Sequence, residues 1–62
     1  MKTMTHDEAT RLADLASEAK ADALAMGNIL DPNSEAAKLA DFASRVRIRL
    51  QYNGYWTLAD SI

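Results

Sequence analysis

The 62-residue chain predicts an all-α fold, a two-helix antiparallel hairpin closed by a short C-terminal tail. Three observations lead there. The segment "EATRLADLASEAK" (Glu8 to Lys20) returns as "EAAKLADFASRVR" (Glu35 to Arg47) at an offset of 27 residues. Apolar residues in both copies recur at three- and four-residue spacing, the signature of one helical face. At the same offset both copies run to a glycine, Gly27 and Gly54, the residue favoured where a helix ends in a left-handed turn.

The first helix is expected over about 5–26. Thr5 and Glu8 form a T-x-x-E capping box, in which each side chain can satisfy the other's free backbone amide. Ala9, Leu12, Leu15, Ala16, Ala19, Ala23 and Met26 then share one face. The loop 27–31 follows, with Ile29 and Leu30 expected to pack inward.

The second helix is expected over about 32–53, with Asp31 as N-cap and Pro32 at the first helical position, where its missing N–H costs nothing. Leu39, Phe42, Ala43, Val46 and Leu50 carry its apolar face. One stretch admits a second reading. In "RVRIRLQYNGYW", arginine and apolar residues alternate from Arg45 to Tyr52, and Asn53-Gly54 is a strong β-hairpin signal. The alignment of Gly54 with Gly27 favours the helix, as does the marginal stability of an isolated two-stranded hairpin in water. In the tail, 54–62, Trp56 and Leu58 are expected to fold back over the open end of the hairpin, with Thr57 capping a last turn.

A chain this short buries only roughly 60% of its unfolded surface and has little stability to spare. Disulfides, a metal or association with another chain are the usual supplements. Cysteine is absent, and one histidine, His6, builds no zinc site by itself. Twelve of the thirty hydrophobic residues are alanine, which permits close helix approach but contributes little buried area. Association is the supplement that remains, and a dimeric four-helix bundle, or a higher oligomer, is its simplest form.

Net charge is −2, which argues against a general nucleic-acid coat. The halves differ: residues 1–31 hold three basic and six acidic side chains, residues 32–62 four basic and three acidic. Such asymmetry suits electrostatic docking, to a second copy or to an anionic partner. There is no apolar run long enough to span a bilayer and no leader-like segment, so a cytoplasmic protein without membrane contact is expected. The initial Met and the lack of a linker-like tract predict a complete small protein.

Two surfaces remain outside the seam. Asp7, Arg11, Asp14, Glu18 and Asp22 form an outer row on the first helix. Its carboxylates read as a solvated face, because calcium sites gather many oxygens from a loop. On the second helix, Arg45, Ile48, Arg49 and Tyr52 stand at i, i+3, i+4 and i+7, away from Leu39, Val46 and Leu50. Together with Tyr55 and Trp56 they are the expected binding surface. Tyr, Trp and Arg are enriched at interface hot spots. The same set suits an anionic nucleotide, with arginine on phosphate and an aromatic ring on the base. The competing reading buries Ile48 and Tyr52 against the tail or a second protomer, and leaves Tyr52, Tyr55 and Trp56 as core and capping residues. His6 lies in the first turn, where positive charge is unfavourable, and is expected on the surface.

No Ser/His/Asp or Cys/His set, phosphate-binding glycine loop or carboxylate pair in a cleft supports catalysis. The expected function is therefore non-catalytic, without cofactor or metal. It is stoichiometric binding of a protein partner by an inhibitor, adaptor or regulator of the size common among phage and mobile-element products. A nucleotide-type ligand held between protomers is the alternative. RNA or DNA binding ranks lower, because Arg45, Arg47 and Arg49 at i and i+2 point about 200° apart on a helix and form no single stripe.

Overall fold

A computed structural model describes residues 4–27 and 30–62. It contains three helices, α1 (His6–Met26), α2 (Glu35–Tyr52) and α3 (Trp56–Asp60), and no strand among the described residues. The long helices pack against each other and α3 packs on both. Arg45 to Tyr52 is thus helical, and the β-hairpin reading is set aside.

Local chemistry accounts for the ends. Thr5, in extended backbone, accepts the Glu8 N–H at 3.2 Å, and this is the capping-box half seen among the described residues. Gly27 ends α1 at φ +80° and donates its N–H to the Ala23 carbonyl at 3.3 Å. The end of α2 is a Schellman motif: the Gly54 N–H reaches the Gln51 carbonyl at 3.0 Å, and the Tyr55 N–H reaches Leu50 at 2.9 Å. Gly54 makes that turn at φ +84°, a conformation that side chains with a Cβ rarely adopt.

The start of α2 differs from the expected one. The N-cap is Ser34, whose hydroxyl accepts the Ala37 N–H at 3.1 Å and donates to the Asp31 carbonyl at 2.7 Å. Asp31 is engaged elsewhere: its carboxylate accepts the Asn33 N–H at 3.0 Å in an Asx turn, and its carbonyl accepts the Ser34 N–H at 3.0 Å. Side chains of this kind hold a local turn as readily as a helix start. Pro32 therefore sits in the turn before the helix, which begins three residues later than expected.

The seam is mostly alanine. Ala9, Ala13, Ala16, Ala43 and Ala59 form the buried core with Val46 and Leu50, and Met4, Leu12, Tyr55, Leu58 and Ile62 pack around it. Among the described residues, Leu50 is the one large side chain fully buried. Burial repeats at the 27-residue offset: Ala9 with Ala36, Ala16 with Ala43, Ala19 with Val46, Ala23 with Leu50. The hairpin consequently has an approximate two-fold relation between its helices.

Close approach through alanine leaves no room in the seam for the larger side chains expected there. Leu15, Met26 and Phe42 stand at its margins and remain exposed. Leu30 is 96% exposed and does not pack inward as expected. Ile29 lies outside the described residues.

The tail contains a short helix, with Tyr55 as N-cap residue and Thr57 inside the turn rather than capping it. Leu58 folds onto the core as expected, with Ala59 buried beside it, whereas Trp56 faces outward. Three bonds fasten the tail to α1 and the segment before it. Tyr55 Oη donates to the Met4 carbonyl at 2.9 Å, Ser17 Oγ to the Ser61 carbonyl at 3.4 Å, and Lys20 Nζ to the main-chain oxygen of Ile62 at 2.8 Å. Ser17 and Lys20 place α3 on one side of the hairpin. The opposite side carries no helix among the described residues.

Candidate functional site

The side of the hairpin away from α3 holds an open groove of about 900 Å³. Met4, Leu12, Phe42 and Val46 give it an apolar floor, and Glu8, Arg45, Arg49, Ile48 and Tyr52 stand around it. The helical period explains the assembly. On α2, residues 42, 45, 49 and 52 fall on one flank of the seam stripe at three- and four-residue steps. On α1, residues 8 and 12 lie one turn apart and face them.

Four of the six expected binding residues, Arg45, Ile48, Arg49 and Tyr52, therefore share the groove. Tyr55 and Trp56 do not. The Schellman turn directs Tyr55 back to the core and to Met4, and its ring meets the His6 ring edge-on at 6.0 Å. Trp56 opens α3 with its ring largely in solvent, outside the groove lining.

Two residues of the groove are exposed far beyond what a surface helix requires. Tyr52 is 94% exposed and Ile48 is 63% exposed. The tail does not cover them, which removes the reading in which they bury within one chain. The side chain of Arg45 is held by Asp41 at 3.0 Å, an i,i+4 ion pair open to solvent and worth little to stability. Arg49 lends its carbonyl to the Asn53 side-chain amide at 2.8 Å.

Sequence reasoning missed the contribution of α1 to this site. The sequence pattern places Glu8 in the capping box and Leu12 in the seam, and gives Met4 no role. The signal for Leu12 was present in the repeat, since Leu12 aligns with Leu39 and both are only half-buried. Met4 precedes the helix, and its position follows from the Tyr55 bond, which links segments that local pattern does not relate.

The second concavity, about 140 Å³, lies on the α3 side between Lys20, Leu24, Ala43, Arg47 and Ile62. The acidic row of α1 is exposed throughout, as expected. No group of three His, Asp or Glu side chains suited to a metal occurs among the described residues. No helix there is long and apolar enough to cross a membrane.

No protein-family model matches the chain, and comparison with curated proteins and with solved structures finds no significant match.

Proposed function

We propose that this protein acts without catalysis, as a self-associating helical hairpin that binds a protein partner stoichiometrically in the manner of an inhibitor, adaptor or regulator. The observation that carries the reading is the groove in which Arg45, Ile48, Arg49 and Tyr52 surround an apolar floor. Exposed apolar area next to aromatic and arginine side chains is the composition of an interface centre. The groove is open to solvent, which fits a segment of another polypeptide better than an enclosed small ligand. A partner segment with apolar side chains flanked by carboxylates would meet Ile48, Tyr52 and the two arginines along the lip of the groove. Action in the cytoplasm accompanies this reading, as does the absence of any cofactor.

A second reading rests on the same two arginines and Tyr52: an anionic nucleotide, with its phosphate on the guanidinium groups and its base on the ring.

Native mass measurement of the protein purified from its own source separates the two. The wild type should carry a second polypeptide in fixed ratio, and Arg49→Glu and Tyr52→Ala should lose it while keeping their helix content. Asp14→Arg, on the outer face of α1, should retain it. Retention of a mass of nucleotide size in place of a polypeptide would move the assignment to the second reading. Loss of the partner in Asp14→Arg, with retention in the other two variants, would place the functional face on α1.

A further inference from the structure

We propose that the side of the hairpin opposite α3 is the docking face for a second copy of this chain, with α1 of one copy lying across α2 of the other. The inference rests on the self-association in the reading above, and adds the surface and the orientation.

Three observations point to it. The first is the missing layer. Packed helix axes lie about 8–10 Å apart, so a Cα envelope of 36 × 19 × 14 Å holds one layer of two helices and α3 on one side. Small domains are ordinarily two layers around a core. Here the second layer is one short helix, and the other face is bare among the described residues.

The second is area. A compact monomer of 6.8 kDa exposes about 4,000 Å² by the usual size scaling. This chain exposes 4690 Å². The difference, about 700 Å², approaches the roughly 800 Å² that each partner buries in a standard interface. The bare face also supplies the apolar groups. Leu12 and Phe42 line its groove, and their repeat equivalents, Leu39 and Leu15, continue the stripe along the helix pair. Leu15 is 53% exposed and Phe42 is 41% exposed.

The third is charge, and it selects both the occupant and its orientation. The α1 flank of the stripe carries Glu8, Arg11, Glu18 and Asp22, and the α2 flank carries Glu35, Lys38, Arg45 (paired with Asp41) and Arg49, all exposed, so acids outnumber bases on the first flank and bases outnumber acids on the second. A two-fold axis perpendicular to the helices would set α1 on α1 and α2 on α2, acid against acid and base against base. A two-fold axis along the helices sets α1 on the α2 of the other copy, and each flank then meets its opposite. The same patch serves both copies, as an isologous interface requires. Ile48 and Tyr52, farther round α2 from the stripe, stay at the outer lip for a different partner.

Two measurements test the proposal. Sedimentation at tens of micromolar should give a dimer for the wild type, and a helical monomer for the double variant Leu15→Glu/Phe42→Glu. A wild-type monomer across the concentration range would overturn self-association itself. A double variant that remains dimeric would overturn this face while leaving self-association standing. Either result leaves the heterologous partner of Arg49 and Tyr52 to its own test.

The second measurement holds even where the double variant loses its helix content. The chain has no cysteine, so single-cysteine chains report pairing directly. An equimolar mixture of Asp22→Cys and Lys38→Cys chains, mildly oxidised with diamide, should yield cross-linked heterodimer, and each chain alone should yield little. Efficient self-linking of Asp22→Cys would overturn the orientation, and no cross-link in any combination would overturn the face.

Discussion

The Tyr55 hydroxyl donates a 2.9 Å hydrogen bond to the Met4 carbonyl and so joins residues 51 positions apart. Tyr55 reaches Met4 because the Schellman turn at Gly54 reverses the chain at the end of α2. It thus links the helix stop, the start of α3 and the entry to α1 through one side chain. Replacing Tyr55 with Phe keeps the ring packing and removes the bond. A part-buried hydrogen bond of this kind contributes about 1 kcal/mol, which lowers Tm by about 4–8 °C in a domain of this size. Thermal denaturation at one fixed protein concentration measures it, and Trp56 fluorescence reports whether α3 loosens first.

Gly54 and Gly27 offer a cleaner reading of backbone strain. A Cβ at either position meets nothing within 4 Å, so replacement brings no clash. The whole cost is the positive φ. Gly54→Ala and Gly27→Ala should each destabilise by about 1 kcal/mol, and asparagine at either position should cost less. Urea midpoints at unchanged slope would show it. Equal stability of wild type and Gly54→Ala would contradict the left-handed stop.

The position of the second N-cap is testable by a pair of substitutions. Ser34→Ala removes the acceptor for the Ala37 N–H and should cost about 1 kcal/mol. Asp31→Ala leaves the carbonyl that anchors Ser34 in place and should stay within roughly 0.5 kcal/mol of wild type. The reverse order of effects would restore Asp31 as the cap.

Leu50 concentrates the stability of the seam. Leu50→Ala should cost about 3 kcal/mol, a large share of the roughly 3–9 kcal/mol available to a domain of this length. Leu24→Ala, at an exposed position, should change little. Far-UV circular dichroism during urea titration distinguishes the two.

The repeat made most of the fold legible, because equivalent positions on equivalent helices share their burial. Ala9 and Ala36, or Ala16 and Ala43, are buried together for that reason. The two helix stops were readable from glycine alone. The sites of error have a common cause. Leu15, Met26 and Phe42 have the spacing of seam residues, but spacing fixes only the direction of a side chain, and the alanines decide how close the helices come. Asp31 and Ser34 are both good caps, and the choice between them turns on which oxygen the intervening turn consumes. Of the expected binding residues, those on α2 are brought together by helical period. Tyr55 and Trp56 lie past the stop, where the chain reverses and period no longer applies.

The alanine seam also shapes how the protein responds to temperature. Unfolding heat capacity follows the apolar area newly exposed to water, and a seam of methyl groups exposes little of it. The value for the unassociated chain should therefore fall below the roughly 12–15 cal/mol/K per residue usual for globular domains. A low heat capacity flattens the stability curve: the chain never becomes very stable, yet it gives up little on cooling. Scanning calorimetry on the folded Leu15→Glu/Phe42→Glu chain would read that flatness without the contribution of a second copy.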